Sequence, residues 1–203
     1  MLTTTTFLTL DGIMQAPGAP AEDRSGGFRH GGWLVPHFDR ALGEFMSSVF
    51  DAADAFLLGR GTYEIFAGHW PRVTDPSDPI ASRLNQLPKH VATKTLERLS
   101  WTGSTTVRDV ASEVPALVRA YRRELQVHGS PGLIQSLLSL ELIDRMNLIV
   151  FPLTLGTGKR LFGEGTSPSA FKLMSSQTTT TGIVIATYER SGRPQYGSFA
   201  LEG

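Results

Sequence analysis

Cysteine is absent from all 203 positions. That absence removes disulfides, thiolate nucleophiles, iron–sulfur clusters and the usual structural zinc sites together. An excess of one charge is also missing. The 19 Lys and Arg balance the 19 Asp and Glu, so no net field draws the chain to nucleic acid or to an anionic membrane. No apolar run reaches spanning length, and the start, Met1-Leu2-Thr3-Thr4-Thr5-Thr6-Phe7, lacks the basic, continuously apolar character of a signal peptide. A cytoplasmic location is expected from this. Histidine is sparse, and His30, His37, His69, His90 and His128 are never three or four residues apart. No metal site is expected. There is no internal repeat or linker, and at 40% hydrophobic content one domain spanning residues 1–203 is the expectation.

What is present is a repeated grammar of strand, glycine or polar turn, and helix. Leu2 to Leu10 suits an opening strand that Asp11-Gly12 ends. Ala16 to Trp33 is glycine-rich and holds Pro17 and Pro20, so it reads as a long loop, functional or mobile. Phe38, Leu42, Phe45, Met46, Val49 and Phe50 recur at helical spacing, which predicts a helix from about Pro36 to Ala53. Ala55 to Leu58 reads as a buried strand and Thr62 to Ala67 as helical. The grammar returns around Ile80 to Leu87 followed by His90 to Thr93, and around Val114 to Tyr121 followed by Leu125 to His128. A further helix begins near Leu133. Met146 to Phe151, Phe171 to Thr181 and Gly182 to Tyr188 read as closing strands, some of them antiparallel. The expected fold class is α/β, a mostly parallel central sheet with antiparallel C-terminal strands and helices on both faces.

Three strand ends carry residues suited to an anion. At Gly59-Arg60-Gly61-Thr62 a buried strand meets a helix start, where free N–H groups and the helix dipole favour negative charge. Arg60 adds a cation, Thr62 a hydroxyl, and the glycines let a phosphate approach the backbone. The same residues also make a tight turn with an exposed Arg. Thr93-Lys94-Thr95 alone is a solvated turn, but beside the first segment it could hold the ribose phosphate that distinguishes NADPH from NADH. Gly129-Ser130-Pro131-Gly132 is the third junction, with Ser130 a candidate N-cap. None matches the ordinary Rossmann fingerprint.

Leu8-Thr9-Leu10-Asp11-Gly12, Leu58-Gly59-Arg60-Gly61-Thr62-Tyr63-Glu64, Gly129-Ser130 and Phe151-Pro152-Leu153-Thr154-Leu155-Gly156-Thr157-Gly158-Lys159-Arg160-Leu161-Phe162 together resemble the reductase domain of the bacterial riboflavin-biosynthesis deaminase-reductase, which shares its fold with dihydrofolate reductase. The likeness runs over nearly the whole chain in order. It implies an NADPH site with Gly59, Arg60, Gly61 and Thr62 at the cofactor phosphates, Thr93 and Lys94 near the adenosine ribose phosphate, and Gly129, Ser130, Gly132 and Leu133 against the pyrophosphate. It also implies a homodimer. The zinc deaminase partner domain of that family needs cysteine ligands that this chain lacks. Dihydrofolate reductases place a carboxylate two residues after the proline of W-x-x-P, where Trp33-Leu34-Val35-Pro36-His37-Phe38-Asp39 has Phe38. Asp39 comes one residue later, a rotation of ~100° on a helix.

Asp11 is the leading acid or water-positioning candidate, with His37 and Asp39 behind it, although Asp11-Gly12 also reads as a plain turn. Trp33, Phe38 and Trp70 either stack on a planar substrate or fill core, and for Phe38 burial statistics favour core. Gly156, Gly158 and Lys159 border a substrate pocket or form a surface hairpin. The glycine-rich loop is expected to act as a lid. The function expected is an NADPH-dependent reductase of a small planar heterocycle, with a non-catalytic dimeric ligand-binding protein as the alternative.

Overall fold

The computed structural model of the chain describes residues 1–200. Its frame is an eight-stranded sheet in the order β4-β3-β2-β5-β1-β6-β8-β7. The strands are β1 (Leu2–Thr9), β2 (Ala53–Gly59), β3 (Lys89–Ala92), β4 (Ser104–Val107), β5 (Glu124–Val127), β6 (Arg145–Phe151), β7 (Ala170–Thr178) and β8 (Val184–Gly192). The first six pair in parallel, and β8 runs antiparallel to both β6 and β7. This is the mostly parallel sheet with antiparallel closing strands that the sequence predicts.

Central strands covered on both faces need side chains that pack in both directions. In β1 they are four consecutive threonines, all buried, whose β-branched shape suits the pleat. The Thr5 hydroxyl donates to Gln126 Oε1 (3.1 Å) and accepts from Asn147 Nδ2 (3.0 Å), while Asn147 Oδ1 accepts from Thr187 Oγ1 (2.9 Å). This polar thread crosses β5, β1, β6 and β8, and a one-residue slip of any strand would break it.

Helices α1 (Arg40–Ala52), α2 (Arg60–His69) and α3 (Pro79–Gln86) cover one face, contributing Leu42, Met46, Phe50, Tyr63 and Leu84 to its core. Helices α4 (Val110–Ala120) and α5 (Pro131–Ser139) cover the other through Val114, Leu133, Ile134, Leu137 and Leu138. The buried stripe Leu42, Met46, Val49 and Phe50 is the one read from the sequence. The start of α1 is corrected: Val35–His37 form a separate 3-10 turn, Phe38 is extended, and the helix begins at Arg40 behind Asp39. Helix α2 in turn starts at Arg60 and runs to His69. The sequence reading missed β4, because only Val107 of its four residues is buried and no apolar alternation marks it.

One buried charge also went unread. Lys89, with no exposure, donates from Nζ to the carbonyls of Leu84 (2.8 Å) and Leu87 (2.8 Å) at the end of α3 and lies 4.5 Å from the Trp101 ring centroid. Burial pulls its pKa down to about 8.

Topology places the site. From β2 the chain proceeds outward to β3 and β4, whereas from β5 it crosses past β1 to β6. Strands β2 and β5 are neighbours, so at their carboxyl ends the chain departs in two directions, α2 to one face and α5 to the other. A crevice of this kind is where open α/β sheets take ligands. No helix among the described residues is long and apolar enough to cross a membrane.

Candidate cofactor and substrate site

Three helices start on an aspartate that caps them. Asp39 accepts from Leu42 N (3.0 Å), Asp78 from Ile80 N and Ala81 N (both 2.9 Å), and Asp109 from Ala111 N (3.1 Å). Helices α2 and α5 have no such partner. Their N-cap residues are Gly59 and Ser130, and neither gives a side-chain capping bond. A helix leaves its first N–H groups unpaired unless a cap, water or ligand takes them. Both unsatisfied ends lie at the β2–β5 boundary.

The two ends are locked together by residues that cannot carry a Cβ. Gly59 N donates to Gly129 O (3.0 Å). A Cβ on Gly59 would fall 2.2 Å from Ser130 Oγ and 2.8 Å from Ser130 N, and one on Gly129, at φ +145, would fall 2.6 Å from Thr62 Oγ1. The second residue of each helix is also glycine. At Gly61 and Gly132 a Cβ would meet nothing within 4 Å, so no neighbouring group fills the side-chain position there. Leu133, the third residue of α5, buries its side chain in the core while its amide belongs to the same uncapped turn. The structure thus gathers Gly59, Arg60, Gly61, Thr62, Gly129, Ser130, Gly132 and Leu133.

Arg60 is exposed and reaches across to the turn after β3, donating to Thr95 Oγ1 (3.3 Å). In that turn Lys94 is exposed but Thr93 is buried. Its hydroxyl accepts from Thr95 N (3.2 Å) and Leu96 N (3.1 Å). Of the two residues singled out there, Lys94 faces solvent and Thr93 shapes the backbone that presents it.

Of the acid candidates, Asp11 follows β1, the strand beside β5, His37 packs on the last residue of β6, and Asp39 stands at the start of α1. Asp11 is spent on a neighbouring turn: Oδ1 accepts from Thr9 Oγ1 (2.5 Å) and Leu155 N (3.2 Å), and Oδ2 from Gly156 N (2.7 Å). The Thr9 hydroxyl, helped by the two amides against a burial cost, holds its carboxyl below the usual carboxylate range. Asp39 is spent likewise. Besides capping α1 it accepts from Thr180 Oγ1 (2.9 Å) and Thr181 Oγ1 (3.2 Å) in the β7–β8 hairpin, and the Leu42 amide foremost holds its pKa down. Both carboxylates accept several hydrogen bonds, which favours their ionised form and ties each to a neighbouring turn. His37 differs. Its half-buried ring meets Phe151, the last residue of β6, edge-on at 6.1 Å, and has no hydrogen-bond partner among the described residues.

Trp33 is core rather than a platform, packed edge-on against Phe151 at 5.2 Å with Nε1 donating to Gln15 O (2.8 Å). Phe38 reverses the burial expectation and is 54% exposed, because it lies in the extended link between the 3-10 turn and α1. Gly156 is held by Asp11. Gly158 is a packing glycine, for a Cβ there would fall 2.8 Å from the Phe28 ring and 2.9 Å from Ile13.

The loop expected to be a lid is docked. Gly32 N donates to Ala16 O (2.8 Å), closing its base, the buried Gln15 amide donates to Ser25 O (3.0 Å), Phe28 is buried, and Lys159 pairs with Asp23 at 2.6 Å. An open groove of about 760 Å³ runs between α1 and the start of α3, but none of its lining residues comes from the strand ends.

Sequence reading missed His128, the residue before Gly129. Its ring stacks on Phe50 (5.0 Å between centroids, 6° between planes), and its buried Nε2 has no partner. Desolvation pulls its pKa down to about 4. A lone histidine at a strand end carries no spacing signal that could have marked it.

With this geometry in place, comparison with known proteins is specific. A family model described as the RibD C-terminal domain matches residues 1–185. Among solved structures, a protein named for riboflavin biosynthesis from Shewanella sp. PV-4 superposes with a TM-score of 0.68 at 21% identity, over 94% of this chain and 98% of that one. The Thermotoga maritima diaminohydroxyphosphoribosylaminopyrimidine deaminase/5-amino-6-(5-phosphoribosylamino)uracil reductase gives 0.60 at 16% identity, over 94% of this chain and 56% of that longer one. Dihydrofolate reductase from Enterococcus faecalis, solved with NADP(H), gives 0.59 at 13% identity over 94% and 96%. The fold is dihydrofolate-reductase-like.

Proposed function

The chain belongs to the RibD C-terminal domain family, and from that premise we propose that it is a reductase that uses NADPH to reduce a small planar heterocycle of the pyrimidine or pterin kind. The observation that carries this reading is the pair of uncapped helix N-termini at the β2–β5 boundary, each with an open glycine at its second position. A dinucleotide pyrophosphate supplies the acceptors those amides lack. The Enterococcus relative solved with NADP(H) and the Thermotoga relative named as a uracil reductase support the cofactor and substrate class.

NADPH, when bound, supplies the hydride. The chain's own part is to hold and orient. The α2 and α5 amides take the pyrophosphate, Arg60 and Lys94 take the ribose phosphate, and exposed Phe38 offers an apolar face to a ring. His37 is the group free to pass a proton, since Asp11 and Asp39 are committed to turns. That commitment also favours a second reading, a nucleotide-binding protein without turnover. A second copy would find an open edge in β7, where Leu173 and Met174 are about half exposed.

Fluorescence titration with NADPH tests the phosphate site: Arg60→Ala weakens binding about tenfold or more, the scale of one lost charged contact. Unchanged affinity overturns the site. NADPH oxidation across pteridine, pyrimidine and flavin-like acceptors separates the readings, because binding with no oxidation of any acceptor selects the second.

A further inference from the structure

The turn Thr93–Leu96 is held more firmly than an exposed turn requires. Inside it, the Thr93 hydroxyl accepts from the amides of Thr95 and Leu96. Across it, Arg108, the first residue after β4, donates from Nη1 to Thr93 O (2.9 Å) and from Nη2 to Leu96 O (2.7 Å). Arg108 is itself anchored, since its own amide and that of Asp109 donate to Glu113 Oε1 at 2.8 and 2.7 Å. From the α2 side, Arg60 donates to Thr95 Oγ1. The charge of Lys94 is felt as far as Asp109, whose carboxyl it helps to hold low after the larger effect of Ser112.

A guanidinium laid across two carbonyls of one turn contributes geometry as well as hydrogen-bond energy. Its planar fork fixes both ends of the turn at once, which a lysine cannot do. Between those ends stands Lys94, and beside it Arg60. A phosphate dianion gains most from two cations at a fixed separation, and a cation on a mobile turn gives up part of that gain to ordering entropy.

We propose that Arg108 is a positioning residue for cofactor choice: by clamping the Thr93–Leu96 turn it sets Lys94 against Arg60 as a pair that selects 2′-phosphorylated dinucleotides over their unphosphorylated forms. This rests on the dinucleotide reading of the site. Arg108 acts through the turn, its own fork being taken by the two carbonyls. The pyrophosphate contacts at α2 and α5 are shared by both cofactors, so loss of the clamp leaves NADH binding as it was.

The test is a set of NADPH and NADH titrations on wild type, Arg108→Met, Lys94→Met and the double variant, with melting temperature measured in parallel. Wild type prefers NADPH, and Arg108→Met cuts that preference about fivefold or more at constant NADH affinity, within the usual range of a lost charged contact. Because Arg108 works through Lys94, the double variant loses no more than the larger single loss. Arg108→Lys, which keeps charge and stem, fails to restore the preference and carries the same comparison should Arg108→Met not fold. A preference unchanged in both Arg108 variants overturns this inference and leaves the dinucleotide reading standing. Additive losses in the double variant make Arg108 a direct phosphate contact and overturn the positioning role. Wild type binding neither nucleotide overturns the dinucleotide reading and the inference with it.

Discussion

Helices α1, α3 and α4 open on Asp39, Asp78 and Asp109, each accepting from an amide of its own first turn, whereas α2 and α5 open on Gly59 and Ser130 with those amides unpaired. The far end of α3 is finished too, by buried Lys89. A missing side-chain cap forgoes about 1 kcal/mol against alanine but only about a few tenths where glycine stands at the cap, as at Gly59. The two omissions are adjacent, at a boundary where the chain leaves neighbouring strands in opposite directions. Capped ends serve the fold alone, and uncapped ends keep donors available for a ligand at a cost in stability.

The comparison breaks most visibly at Gly59. Gly59→Ala forces a Cβ against the Ser130 backbone and hydroxyl, which should cost about 2 to 3 kcal/mol, an overpacking penalty, and remove NADPH binding as the two helix ends separate. Thermal melts and titration check both. A well-folded Gly59→Ala protein with intact NADPH affinity would show that the close approach of the two ends is dispensable.

Opposite signs sharpen it next. Asp78→Ala at a capped end should lower stability by about 1 kcal/mol and leave NADPH affinity alone. Gly61→Asp at an uncapped end, where a side chain meets open space, should raise stability by about 0.5 kcal/mol through the helix dipole while weakening NADPH binding, since a carboxylate then occupies the phosphate position. Denaturant melts paired with titrations report both quantities, and Gly61→Asp binding NADPH normally would place the phosphate elsewhere.

The smallest effect lies in acid. Amide and hydroxyl donors, Leu42 N first, hold the Asp39 carboxyl below its ordinary value of 3.8. The unfolded chain therefore takes up that proton first, so the stabilisation is present above about pH 4 and is lost as pH falls below it. Asp39→Asn should flatten this part of the acid limb in denaturant melts at pH 5 and pH 3, and a slope equal to wild type would remove Asp39 as its source.

Much of the fold was legible in single stretches of chain. The α1 stripe announces itself by periodicity, because one buried face repeats at a fixed interval, and the run ending at Gly59, the strand ending before Gly129 and the closing strands announce themselves as short apolar or β-branched runs bounded by turn residues. The turn residues proposed to meet the cofactor were legible for a related reason: glycine and polar residues at a strand end mark a turn, whatever lies opposite. The acid candidates were not. Asp39 reads the same whether it faces a substrate or caps α1, and its hairpin partners lie some 140 residues away, at Thr180 and Thr181. Phe38 reads as core by its type and emerges half exposed, and the glycine-rich loop reads as loose by composition yet is docked through Gln15, Phe28 and Lys159.

The sequence by itself therefore determined most of the strands and helices and the turn chemistry at Gly59-Arg60-Gly61 and Gly129-Ser130, since propensity, periodicity and the Cβ requirement act within a few residues. Only the tertiary structure decided that those turns meet, that Arg108 bridges the turn carrying Lys94, and that Asp11 and Asp39 accept several hydrogen bonds while the His37 ring has none among the described residues. Hydrogen-bond partners remote in the chain set those roles, and strand order, which no local pattern encodes, brings the partners together.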